Sequence, residues 1–222
     1  MWQKLLFIAL FCSESAVAEV KSWQLWKHQN GVSIHYKKHD NGIFEVRGTV
    51  TVSNTNAGDF MALLSDAENA PQWIENVKSV KILARLSPSE TVVYTQLDSP
   101  WPVSDRDMVS YSCYKRLNNT DTELKISAYP DYFDEQPNMI RITEIEGSWL
   151  LSEKVVQGLP QLTIVHEIYA DPGGAIPHWI SNKVGLKSAL LTMLTLEKKL
   201  LSKDFQTNNT VSKIGECTAK AA

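Results

Sequence analysis

A two-residue alternation is the feature that most limits how this chain can fold. Phe44, Val46, Val50 and Val52 share one parity, and Glu45, Arg47, Thr49 and Thr51 share the other. Successive side chains of a strand point to opposite faces, so residues 44–52 read as a strand with one buried and one wet face. The pattern returns at Leu124, Ile126 and Ala128, which alternate with Glu123, Lys125 and Ser127, and again at Leu162, Ile164, His166 and Ile168. Further strands are predicted over 32–36, 77–84 (Val80 and Ile82 inward), 91–97 and 108–116. Asp40-Asn41-Gly42 supplies a hairpin turn between the first two strands.

Helical spacing replaces alternation in a few places. Asn54-Thr55-Asn56 offers capping side chains ahead of Phe60, Leu63, Leu64 and Ala67, and Pro71 ends that helix. Trp23, Leu25 and Trp26 predict a short N-terminal helix over 23–28. The last element is a long helix from Ile176 to about Leu201, with Pro177 in its first turn. Its small residues Gly185, Ser188 and Ala189 predict close approach to a neighbouring surface. Between Ile142 and Ile145 the apolar parity switches, which a β-bulge near 143–145 would explain; otherwise Glu144 points inward. The order of strand pair, helix, antiparallel strands and long helix specifies one α+β domain, a curved antiparallel sheet wrapped around the terminal helix.

The first residues read as a secretory signal. Lys4 precedes the apolar run 5–12, and Ala16-Val17-Ala18 fits a cleavage site. Residues 1–18 are therefore expected to be removed, leaving a folded domain over 19–201 and a polar, frayed tail over 202–222 in a secreted or periplasmic protein. A retained anchor is the rival reading. Cleavage removes Cys12 and leaves Cys113 in an apolar strand and Cys217 in the tail; two separate thiols are expected. No Cys/His spacing matches a metal site, and neither metal nor cofactor is expected. The net charge of −3 gives no footprint for nucleic acid.

Two runs carry most of the functional information. In Ser99-Pro100-Trp101-Pro102-Val103-Ser104-Asp105-Arg106-Asp107-Met108-Val109, the prolines stiffen the turn that presents Trp101, and Arg106 opens the following strand. The second run is Asp171-Pro172-Gly173-Gly174-Ala175-Ile176-Pro177-His178-Trp179-Ile180. The first resembles the strand-opening motif of START (lipid-transfer) domains, and the second resembles the turn into that family's last helix. The resemblance covers about residues 23–201 and implies a helix-grip fold holding a lipid or sterol between sheet and helix. By the same resemblance, Trp101, Arg106, Pro177 and Trp179 match the family's motif positions.

The candidate ligand-binding residues are Arg106, Trp101, Trp149, Trp179, Glu144 and His166. A buried guanidinium needs oxygen partners, so Arg106 is either an anchor for a ligand's polar end or half of an ion pair with Glu144, Asp98 or Asp105. Trp101 belongs to the pocket rim or to the core, and Trp73, Trp149 and Trp179 are core residues or ligand contacts. His166 is a hydrogen-bonded core histidine or, with Glu144, one of two acid/base candidates. Tyr132-Phe133 lies in a loop that would suit a lid, with the terminal helix as a second mover. The expected partner is a lipid or other hydrophobic small molecule, bound by a monomer that touches membranes transiently. No catalytic constellation is found, so a non-enzymatic role is expected. A cyclase- or hydrolase-like enzyme using the same cavity, and an interaction module with a filled interior, remain the alternatives.

Overall fold

The computed structural model describes residues 22–99, 103–205 and 213–217. Ten strands form one sheet: β1 (Gln24–Gln29), β2 (Val32–Lys38), β3 (Phe44–Ser53), β4 (Val77–Ser87), β5 (Glu90–Leu97), β6 (Arg106–Arg116), β7 (Asp121–Ala128), β8 (Ile140–Ile142), β9 (Glu144–Val156) and β10 (Leu159–Asp171). Their spatial order is β1-β2-β3-β10-β9-β7-β6-β5-β4, with antiparallel neighbours, while β8 lies parallel to β6. Two helices complete the α+β helix-grip architecture, α1 (Ala57–Ser65) and α2 (His178–Ser202). α1 starts at a capping box in which Asn56 accepts from the Asp59 N–H and Asp59 accepts from the Asn56 N–H.

α2 lies across the sheet's inner face. Leu186, Leu190, Met193, Leu196 and Leu200 recur every three or four residues and are buried against Val32, Ile34, Val46, Val50 and Ile164. Gly48 in β3 permits this approach. A Cβ there would sit 2.7 Å from the Met193 side chain. A second, smaller apolar cluster lies on the opposite face, where Val92, Tyr94 and Val109 pack with Leu83, Ala84, Tyr129 and Phe133.

Three expectations need correction. Residues 24–29 form an edge strand, not a helix: they pair with β2 and leave Leu25 and Trp26 exposed, so no apolar helix face is buried there. The parity switch near residue 143 is a change of strand rather than a bulge. β8 ends beside β6 at Ile142, and β9 starts at Glu144 between β10 and β7, leaving Glu144 exposed. Cys113 and Cys217 form a disulfide, with Cα atoms 5.9 Å apart. The tail is fastened there because Lys213 N–H donates to Pro88 O, Gly215 N–H to Tyr114 O, and the Ser89 hydroxyl to Glu216 O.

Candidate ligand cavity

Between the inner face of the sheet and the first half of α2 lies a cavity of about 480 Å³. Its walls are mostly apolar. Val80, Ile82, Val93, Met108, Ile126 and Trp149 come from strands, and Ile180, Val184 and Ala189 from α2. The burying residues of α2 begin at Leu186, whereas its first turns face the void. The helix thus seals the core with its second half and roofs the cavity with its first. Gly185 lines the void, and a Cβ added to it would meet nothing within 4 Å. The close approach expected of the small residues of α2 holds at Ser188, whose hydroxyl accepts from the Asn76 amide at 2.5 Å, and at Ala189, which packs against the main core, but not at Gly185, which leaves space. A solidly filled interior is also excluded.

Arg106 lines this cavity and is only 4% exposed. It opens β6 beside the turn that precedes α2. Its guanidinium donates to the carbonyls of Ser104, Pro172 (3.4 Å) and Gly173 (3.3 Å). Among the described residues, no carboxylate pairs with it. Burial lowers its pKa, and Asp105 nearby offsets part of that effect. Asp105 itself accepts the Ser99 N–H at 3.0 Å and pairs with Lys78 at 3.3 Å, and these two contacts hold its carboxyl below the usual range. Of the two readings of Arg106, the ion pair with Glu144, Asp98 or Asp105 is therefore not formed among the described residues. Asp98 pairs with Lys78, and Glu144 lines a separate groove on the outer face.

His166 and Trp149 stand opposite one another on β10 and β9, their rings stacked 3.7 Å apart, and both line the cavity. Nδ1 of His166 lies 3.0 Å from the Ser148 carbonyl. A carbonyl only accepts, so Nδ1 carries the proton of the neutral ring. The accessible surface His166 retains faces the cavity rather than bulk water, and this burial lowers its pKa to about 4. Glu144 and His166 lie on opposite faces of the sheet and cannot act as an acid/base couple. Trp179, in the first turn of α2, is 70% exposed and is not part of the cavity wall. Trp101 lies outside the described residues.

Two features escaped sequence reasoning. Asp107, which merely flanks Arg106 in the sequence, forms a buried bidentate pair with Arg141 on the outer face, at 2.8 and 3.0 Å. Arg141 also donates to the carbonyls of Pro130, Phe133 and Asp134. Phe133 packs on Tyr94, so this loop is clamped to the outer face and is not a lid over the cavity. The second feature is Arg85, which reaches the cavity from β4. Among the described residues no group of His, Cys, Asp and Glu could hold a metal ion, and no helix is long and apolar enough to cross a membrane.

A family model described as "START domain" matches residues 13–200. An uncharacterized protein of Pseudomonas aeruginosa, PA1579, is 27% identical over 179 residues, which span 81% of this chain and 86% of that protein. The human phosphatidylcholine transfer protein is 26% identical over 167 residues, covering 72% and 75% of the two chains. The chain matches 56% of the length of human START domain-containing protein 10. Among solved structures, a STAR-related lipid transfer protein fragment from Xanthomonas axonopodis superposes with a TM-score of 0.72 at 27% identity, covering 81% of this chain and 98% of that one.

Proposed function

The chain belongs to the START domain family, and we propose that it takes one lipid-like molecule into the cavity beneath α2 and carries it between membranes. The observation that bears this reading is the apolar void of about 480 Å³, within the range typical of small-molecule sites. The names of the human phosphatidylcholine transfer protein and the Xanthomonas lipid transfer protein support it. The action is physical rather than chemical, with no acid/base pair required. Each methylene withdrawn from water is worth about 0.8 kcal/mol. A bilayer offers the same gain, so moving an acyl chain from membrane to cavity is nearly neutral in its apolar part. Polar contacts then decide which molecule is taken, and Arg106, whose guanidinium among the described residues donates to carbonyls and to no carboxylate, is one group able to favour an oxygen-rich end.

The test is direct. The protein purified from cells is extracted, and the extract is analysed by mass spectrometry. About one lipid per chain is expected. A protein that carries none, and takes none from vesicles, overturns the reading.

We also propose that the carrier works as an exported monomer, cleaved after Ala18. The N-terminal charge and apolar pattern support this, as does the Cys113–Cys217 disulfide, a bond that persists in oxidising compartments. An intact mass beginning at Glu19 in the exported fraction is expected. The full-length chain in the cytosol overturns the proposal.

A further inference from the structure

Rows of side chains run across the inner face of the sheet, and one of them is polar. Arg85 in β4 stands opposite Thr91 in β5, and Thr91 stands opposite Ser112 in β6. All three line the cavity. Simple alternation from Val80 and Ile82 would turn Arg85 outward. The pairing of β4 with β5 slips by one residue between Ile82 and Ala84, so Leu83 and Ala84 both join the outer cluster and Arg85 turns in.

This row marks the opposite end of the cavity from Arg106. Leu97 pairs with Arg106, and Thr91 lies six residues away on β5, which is roughly 20 Å along a strand. The two arginines differ in their partners. Arg106 is buried and engaged by three carbonyls. Arg85 is exposed at the rim on the edge strand, and among the described residues it has no ion pair or hydrogen bond. Beside it, the Ser112 hydroxyl donates to the Thr91 carbonyl at 3.3 Å, and the Thr91 side chain is buried against the void.

Resting on the carrier reading, we propose that Arg85, Thr91 and Ser112 form a headgroup subsite for an anionic amphiphile. Phosphate or carboxylate oxygens sit at the β4 rim, the apolar chains run inward among Ile82, Val93, Met108 and Ile126, and Arg106 is left for a second oxygen-bearing group of the same molecule. A guanidinium presents paired donors matched to such oxygens, and the Thr91 hydroxyl adds a donor at the base of the subsite, where Ser112, its own proton given to the Thr91 carbonyl, forms the polar floor. A water-facing rim suits a charged head, because the ion keeps part of its hydration.

Vesicles of phosphatidylcholine containing equal parts phosphatidic acid and diacylglycerol, with identical acyl chains, test this. The protein is incubated, re-isolated and its bound lipid quantified. The wild type is expected to enrich phosphatidic acid over diacylglycerol by about tenfold, the scale of one charge-assisted hydrogen-bonded contact. Arg85→Gln brings that ratio close to one, and Arg85→Lys retains part of it. An Arg85→Gln variant that keeps the wild-type ratio overturns the subsite, as does wild type that takes both lipids equally; the latter leaves the carrier reading standing. A wild type that takes up no lipid overturns both. Inorganic phosphate distinguishes a lipid head from a free anion. If equimolar free phosphate abolishes the preference, the site is one for small anions and the proposal fails.

Discussion

Arg141 and Asp107 illustrate how much a single residue pair can hold in this molecule. The pair is buried, and Arg141 spends its remaining donors on the carbonyls of the 130–134 loop. Removing one partner strands the other charge, so Arg141→Met is expected to lower stability by about 3–5 kcal/mol. Replacing both, in Asp107→Leu/Arg141→Met, is expected to recover a good part of that loss, and urea midpoints of the three proteins measure it. His166 makes a second prediction. An unfolded histidine takes its proton near pH 6.5, while the folded ring holds out to about 4. Between those values the unfolded chain binds more protons, so stability is full above pH 6.5 and falls as the pH drops toward 4. The loss approaches ~3 kcal/mol below that. Unfolding curves across this range are expected to lose their slope in His166→Phe. Arg106 was legible at this scale because its run stiffens a turn and opens a strand. Arg85 was not, because a one-residue slip of pairing reverses parity and leaves no mark in local composition.

At the scale of elements, α2 divides its work. Leu186 to Leu200 bury against β2 and β3, whereas Ile180 to Ala189 face the void. Gly185→Phe therefore separates folding from binding. The added ring enters open space, and the helix loses a residue of poor propensity. The melting temperature is expected to hold or rise while lipid uptake from vesicles disappears; a variant that still takes up lipid shows that the guest sits elsewhere. The strands with strict alternation and the long helix were readable from period alone. Residues 24–29 were not, since a short apolar run fits either period, and the free edge of β2 settled the matter. The strand change at Thr143 was also hidden, because a parity switch reads the same whether a strand bulges or the chain moves to a new neighbour.

For the whole molecule, the Cys113–Cys217 bond closes a loop of 104 residues in sequence separation. Cross-links of this kind restrict the unfolded chain, so Cys217→Ser, or reduction of the native protein, is expected to cost about 2–4 kcal/mol. Thermal melts with and without reductant measure it, and lipid uptake at low temperature is expected to persist because the cavity lies on the other face. The pairing was illegible in the sequence. A polar tail carries no signal of where it will lie, and only the bonds from residues 213–216 to the β4–β5 turn and β6 bring Cys217 to the sheet. The grip of sheet on helix was legible, since element order and patterning permit few other layer arrangements.

One mechanical consequence follows from how α2 is held. Leu200 is fully buried, and Lys203 pairs with Asp59 at 2.6 Å. That extremity is a fulcrum, and the His178 extremity, with Trp179 standing in solvent, is the long arm of a lever. Asn182 ties this arm to the β2–β3 connection, donating to Gly42 O and accepting the Phe44 N–H at 2.9 Å each, so once those two bonds open a swing of α2 is widest there, and a departing passenger would slip out beneath Trp179 rather than past the pivot.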